Sequence, residues 1–241
     1  MTGSIQKKLK FETSKITKIG FLFHDEKAMN SLTKLLDTIT SEDYLNTGNH
    51  AFLDTREKYK TLIELLKDGD PKTEDPLSIG SGDNQYEGKA LLGTNKIVQI
   101  ALVVEDIREA QKAWCELLGA ESLTIFHSGF EAANKVATYK GQEAIGRSHF
   151  TFIDTPHIQV ELIQPDKDSR STWLEQLEKN GESLHHIAFI VDNLDEKVKL
   201  FNSLGFPTIQ EGPLYDGSGK YAYIDTTSDY SVIFELLEMF K

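Results

Sequence analysis

The chain has 241 residues and a single cysteine, Cys115, so neither an intrachain disulfide nor a zinc site built from several thiolates can form. Cys115 falls beside Trp114 in an apolar helical pattern, which marks it as a packing residue rather than a reactive thiol. No run approaches the length of a membrane span. The opening residues, MTGSIQKKLKFETS, are basic but lack the apolar core of a signal peptide. Positive charge is in deficit, with 26 Lys and Arg against 38 Asp and Glu, and the net −12 argues against a nucleic-acid backbone or an anionic membrane as the main partner. These absences point to a cytoplasmic protein whose partner is a small molecule or another protein. What is present, 39% apolar and 27% charged residues, is the mix of a folded protein and excludes extended disorder.

Taken in order, KITKIGFLF (Lys15 to Phe23) reads as a strand, and Asp25 opens a helix with Ala28, Leu32, Leu35 and Ile39 on its apolar stripe. Thr55 to Lys67 reads as a second helix carrying Tyr59, Leu62, Ile63 and Leu66. From Pro71 to about Gly93 the composition turns to Asp, Gly, Ser and Pro, which marks a domain boundary. Beyond it come a strand over Lys96 to Val104, a helix capped by Asp106 and stopped by Gly119, and strands over Leu123 to His127, Arg147 to Asp154 and His157 to Ile163. A short helix, Thr172 to Lys179, leads into LHHIAFIVD (Leu184 to Asp192). The order then repeats, with a helix opened by Asn193, a stop at Gly205, and strands near Thr208, Tyr221 and Val232. The expected layout is a degenerate N-terminal module with linker over 1–93, a first module over 94–170 and a second over 171–241.

The repeat is the main organising signal. Superimposing VQIALVVEDI on HHIAFIVDNL puts Gln99 on His186, and HIQVELI on YSVIFELL puts Glu161 on Glu235. Lys18 of KITKIGFLFHD takes the same position in what looks like the start of a third copy. Side chains alternate along a strand, so each of these polar residues lies on the face that the helix-packing residues leave free. By the same rule His186 faces that side, while His185 faces the packing side with Ile187, Phe189 and Val191. With the two modules side by side, Gln99, Glu161, His186 and Glu235 converge in one trough. Two carboxylates, an imidazole and an amide oxygen suit one divalent ion, and buried carboxylates need such a partner. Tyr221 and Tyr223 of GKYAYID share a face and are candidates to line the trough and bind substrate. His149 and His157, near the site strands, and Arg147 and Arg170, able to hold an anionic group, are weaker candidates, with His157 and the two arginines expected at the surface.

These residues carry a resemblance to the vicinal oxygen chelate superfamily, which includes glyoxalase I, methylmalonyl-CoA epimerase, extradiol dioxygenases and bleomycin resistance proteins. It covers about Lys96 to the C-terminus. It is closest to methylmalonyl-CoA epimerase through STWLEQLEKNGESLHHIAFIVDNLD, with VELIQP and FELLE resembling the two ligand-bearing strands. The resemblance implies an α+β fold of paired βαβββ modules forming a curved mixed sheet around a metal-binding trough, here with a partial N-terminal βα module. It also implies one divalent ion (zinc, cobalt, nickel or manganese) on Gln99, Glu161, His186 and Glu235. Gln99 departs from the epimerase pattern, which has histidine there, and resembles the glutamine of animal-type glyoxalase I. The implied chemistry is proton transfer next to a carbonyl through an enediolate, with Glu161 and Glu235 catalytic, on a small carbonyl or acyl-thioester substrate. An epimerase of the methylmalonyl-CoA type leads, a glyoxalase I-like lyase is the alternative, and a drug-sequestering resistance protein is the third reading. A homodimer is compatible with all three.

Overall fold

The computed structural model describes residues 18–23, 44–46, 50–53, 55–67, 91–94, 96–121, 123–128, 137–156 and 158–241. The helix expected after Asp25, most of the segment from Pro71 to Gly93, and His157 lie outside the described residues. The chain divides into two units, Met1–Glu57 with Thr61–Asp70, and Lys58–Lys60 with Pro71–Lys241.

The N-terminal unit carries β1 (Lys18–Phe23), β2 (Tyr44–Asn46), β3 (His50–Leu53) and β4 (Leu62–Lys67), and a single helical turn, α1 (Arg56–Tyr59), begins in this unit and ends in the second. The helix expected over Thr55 to Lys67 therefore ends early. Lys60 adopts a left-handed φ of 62°, which breaks the helix, and Leu62 to Lys67 then pairs in parallel with β1. Leu62, Ile63, Leu65 and Leu66 suit either structure, and the neighbouring strand decides between them. The four strands lie in the order β1-β4-β3-β2.

The second unit contains β5 (Gln99–Val103), α2 (Ile107–Leu118), β6 (Phe126–Ser128), β7 (Ala137–Tyr139), β8 (Gln142–Ala144), β9 (Ser148–Asp154) and β10 (Gln159–Pro165). After α3 (Thr172–Asn180) come β11 (Ser183–Ile190), α4 (Leu194–Ser203), β12 (Thr208–Pro213), β13 (Gly219–Ile224), α5 (Thr227–Tyr230) and β14 (Ile233–Met239). Helix α2 begins where Asp106 accepts from the backbone N–H groups of Arg108 and Glu109, and ends at Gly119, whose φ of 68° suits a residue without Cβ. Helix α4 begins differently. Asn193 makes no side-chain cap, and Glu238 of β14 accepts instead from the Leu194 N–H at 3.2 Å.

Ten strands form one mixed sheet in the order β6-β9-β10-β5-β11-β14-β13-β12-β7-β8. The two modules meet where β5 and β11 pair antiparallel, and each of these strands takes a parallel partner from its own module, β10 and β14. The hairpin β7–β8, which the sequence pattern did not show, leaves the first module and pairs with β12 of the second. Its two-residue turn has Lys140 and Gly141 at φ 50° and 73°, the left-handed pair that a tight hairpin requires. One side of the sheet packs Phe189, Phe201, Ile224, Phe234 and Leu236 beneath α4. The other side holds Ala101, Val103, Ile163, Trp173, Tyr221, Tyr223 and Ile233, and encloses the trough. Burial of each large side chain contributes about 1.5–3 kcal/mol.

The three modules share one register. Ala101 is opposite Glu161, Ala188 is opposite Glu235, and Gly20 is opposite Glu64. Two residues before each small residue stand Gln99, His186 and Lys18. The N-terminal unit thus carries more of the module than a β and an α, including a glutamate position, but has lysine where the others have a neutral donor.

Candidate metal centre

The four residues aligned by the repeat meet at the junction of the two modules. His186 Nε2 lies 3.1 Å from Glu235 Oε2, 3.4 Å from Glu161 Oε2 and 3.3 Å from Gln99 Oε1. Each comes from a different strand: Gln99 opens β5, Glu161 and Glu235 are mid-strand in β10 and β14, and His186 is in β11. His186, Glu235 and Gln99 are 0%, 5% and 7% exposed. Donor atoms bound tetrahedrally at roughly 2.0–2.1 Å from one ion stand about 3.3–3.4 Å apart, which is the spacing found here. With a divalent ion, two carboxylates and two neutral donors sum to zero charge, so the buried centre carries no net charge. The donor set fits the ion.

Second partners orient two of the four. Gln99 Nε2 donates to Gln159 Oε1 at 2.7 Å, and Gln159 Nε2 donates to Asp154 Oδ1 at 2.8 Å, a relay that turns Gln99 Oε1 inward. Turning the Gln99 amide over would let it donate to both glutamates, but would set its oxygen against Gln159 Oε1. The relay and a cation at the centre favour the inward oxygen.

His185 Nδ1 lies 2.9 Å from His186 Nδ1. A lone pair on His186 Nε2 requires the proton on its Nδ1, so His186 donates and His185 accepts. The expectation that His185 faces the packing side is corrected. The ladder with β5 shifts register between Leu184 and His186, which breaks strict alternation, and both rings pack against Tyr223, with centroids 5.2 and 4.9 Å away.

In the metal-free protein, burial would lower His186, but the charges of Glu235 and Glu161 outweigh it and bring the imidazole to about 9. Burial raises Glu161, with His186 pulling the other way. Burial and the neighbouring His186 hold His185 well below the usual imidazole value, so it stays neutral.

A cavity of about 220 Å³ opens on the centre, lined by Glu161 and Glu235 and walled by Phe150, Phe152, Trp173, Tyr215, Tyr221 and Tyr223. Tyr221 and Tyr223 both line this cavity. The Tyr221 hydroxyl accepts from Gln210 Nε2 and the Tyr223 hydroxyl from Trp173 Nε1, each at 3.1 Å. Burial pushes both phenols up, so each keeps an O–H to donate. Sequence reasoning missed Gln159, Asp154, Trp173 and the orienting part of His185. The LHHIA pair was the one visible sign of the last.

The weaker candidates stay out of the trough. Ser148 and Phe150 line the cavity, so His149 between them faces the opposite side, near Arg147 and Asp166. Arg170 stacks over the Tyr139 ring. Cys115 is buried and its thiol is raised by that burial, as befits a packing residue.

The family model described as Glyoxalase/Bleomycin resistance protein/Dioxygenase superfamily matches residues 98–223. The "Uncharacterized protein YqjC" of Bacillus subtilis (strain 168) is 27% identical over 145 residues, 60% of this chain and 92% of that protein. Among solved structures, methylmalonyl-CoA epimerase from Mycobacterium tuberculosis is 18% identical with a TM-score of 0.45, over 64% of this chain and 93% of that one. Hypothetical protein BH1468 from Bacillus halodurans C-125 is 20% identical with a TM-score of 0.45, over 61% and 95%.

Proposed function

Because the chain belongs to the glyoxalase/bleomycin resistance/dioxygenase superfamily, we propose that it is a metal-dependent isomerase that moves a proton on the carbon next to a carbonyl. The carrying observation is the convergence of Gln99 Oε1, Glu161 Oε2 and Glu235 Oε2 at 3.1–3.4 Å around His186 Nε2, with both glutamates lining a cavity. A divalent ion of the zinc, cobalt, nickel or manganese class, held by these four side chains, supplies Lewis acidity to the substrate's carbonyl oxygen.

The remaining work falls to the chain's own residues. Glu161 and Glu235 come from opposite modules and approach the cavity from opposite sides of the β5–β11 junction. One carboxylate takes the proton from one face of the carbon, and the other, as its conjugate acid, returns a proton to the opposite face. Tyr221 and Tyr223 donate hydrogen bonds to substrate oxygens, and the aromatic wall excludes water from the carbanion-like carbon.

The cavity volume equals about seven waters at roughly 30 Å³ each, enough for the reacting end of a thioester with its carrier outside. An epimerase of the methylmalonyl-CoA type is the leading form. Gln99, held oxygen-inward by Gln159, favours a glyoxalase I-like lyase as the second. Solvent deuterium exchange at the α-carbon tests the reaction class. Glu161→Gln and Glu235→Gln are each expected to lose most of the exchange, and wild-type exchange in both would refute the assignment. A protein that only sequesters a drug would show tight ligand binding without exchange in any form.

The proposal includes a homodimer. In the second unit, modules join through their first strands, β5 and β11. The N-terminal module's first strand, β1, stands at the end of its sheet and pairs among the described residues with β4 alone. A second copy offers the same strand, and the backbone groups of an edge strand favour a pairing partner.

A further inference from the structure

The outer side of the first module gathers a second set of donors that the trough chemistry does not use. His127 of β6 and His149 of β9 stand directly opposite each other in the antiparallel ladder, with ring centroids 4.1 Å apart. Both point away from the cavity, since Ser128, Ser148 and Phe150 on the same strands line it. Asp166, in the turn after β10, reaches both rings: its Oδ2 lies 3.0 Å from His127 Nε2 and its Oδ1 lies 3.5 Å from His149 Nδ1. One nitrogen of each ring and a carboxylate oxygen all fall within 4.8 Å of one another. The three side chains are part-exposed, so an ion can enter and keep water in its remaining positions.

The surroundings favour a cation. An adjoining open cleft is lined by Glu105, Asp106, Asp166 and Asp168, with Lys167 the one cation among the described lining residues. Arg147 shares the two aspartates of this face. Its Nη2 is 2.7 Å from Asp168, while its Nε is 3.6 Å from Asp166 Oδ2, long for a hydrogen bond.

The geometry points to a second metal site, formed by His127 Nε2, His149 Nδ1 and the Asp166 carboxylate, for a divalent transition ion. Two imidazoles with one carboxylate suit zinc, nickel or copper and disfavour magnesium and calcium, which take oxygen donors. An ion there ties three separate segments: β6, β9 and the turn closing β10. Those strands carry Ser148, Phe150 and Glu161 on their inner side, so the site braces the trough wall from outside. It is independent of the reaction proposed above.

The test is zinc stoichiometry by elemental analysis on the full chain after equilibrium dialysis. The wild type is expected to hold two ions, the Glu161→Gln/Glu235→Gln double variant one, and His127→Asn or His149→Asn one. In the double variant, added zinc should raise the melting temperature, and adding Asp166→Asn should abolish that rise. One ion in the wild type that His127→Asn and His149→Asn leave in place overturns the site, as does a double variant that binds none. If instead the trough reading fails, the double variant keeps the wild-type count while the histidine variants still lose one ion.

Discussion

Replacing His185 with phenylalanine separates a positioning residue from a packing residue. The phenyl ring fills the space between Tyr223 and His186 but has no nitrogen to accept the His186 Nδ1 proton, now met at 2.9 Å. His186 is fully buried, so that N–H is left without a partner at a cost of about 1–3 kcal/mol. Above about pH 9 the metal-free ring is neutral and can carry its proton on Nε2 beside the glutamates, whereas the metal-bound ring must keep it on Nδ1, so in that range the loss falls on metal binding. With tenfold in affinity for every ~1.4 kcal/mol, zinc should bind roughly ten- to a hundredfold more weakly. Competition against a chromophoric chelator at a fixed pH above 9 reads this directly, and a melting curve of the metal-free variant controls for folding. Affinity within about twofold of wild type would refute the orienting contact. Complete loss of the trough ion in His185→Phe, with His186→Ala retaining it, would show that the strand register is wrong.

Four further outcomes follow from the same geometry. Zinc affinity should rise with pH. Metal-free His186 sits near 9, above the ordinary imidazole value, so binding must expel its proton, and affinity climbs about tenfold per pH unit until it flattens near 9. Calorimetry in buffers of different ionisation enthalpy counts that proton, and no proton release at neutral pH contradicts the cause given. Gln159→Leu should weaken zinc binding severalfold by freeing the Gln99 amide to turn, with no effect if the relay is idle. Gly219→Ala should destabilise the protein by about 2–3 kcal/mol, lowering the melting temperature by roughly 4–12 °C, because a Cβ there meets the Glu238 carbonyl oxygen and the Leu214 side chain. Sedimentation equilibrium should give twice the 27.1 kDa chain mass, and of Phe21→Pro and Leu22→Pro the one whose N–H faces the free edge of β1 should reduce it to the monomer.

The residues of the centre were legible because two copies of one pattern constrain each other. Alternation along β5, β10 and β14 gives the face of Gln99, Glu161 and Glu235, and the repeat joins them to His186. What alternation could not show is the point where it fails. The register shift before His186 turns His185 from a packing residue into that ring's hydrogen-bond partner, and nothing in LHHIA distinguishes a regular strand from a bulged one. Long-range pairing was equally hidden. The hairpin turn in TYKGQ is a local signal, but its partner strand β12 lies some seventy residues on, so its place at the far edge of the sheet depends on tertiary contact. The apolar residues of Thr55 to Lys67 satisfy a helical period, whereas Leu62 to Lys67 is claimed as a strand between β3, just upstream, and β1, far upstream.

The duplicated module explains the ligands in pairs, yet the two halves do not support them alike, and that asymmetry bears on the chemistry. In the first module the residue opposite Gln99 on the parallel neighbour is Gln159, a polar side chain that holds the amide. In the second, the residue opposite His186 is Ile233, which offers no hydrogen bond, and the orienting group comes instead from the bulge within β11 itself. A symmetric pair of glutamates would share protons evenly between two identical environments and have no preferred direction of transfer. Here Glu161 is on the strand beside that of Gln99, yet both neutral side chains stand nearer Glu235: His186 Nε2 at 3.1 Å against 3.4 Å, and the inward atom of the Gln99 amide at 3.1 Å against 3.3 Å. Unequal surroundings give the two carboxylates different partners, as the proposed acid and base on opposite faces of one carbon would need. Exchanging the supports should therefore matter as much as removing a ligand. Gln99→His, which makes the two neutral donors alike, is expected to keep zinc within about tenfold of wild type while changing the ratio of the exchange rates left by Glu161→Gln and Glu235→Gln. An unchanged ratio would mean that the difference between the two glutamates lies elsewhere than in their neutral partners.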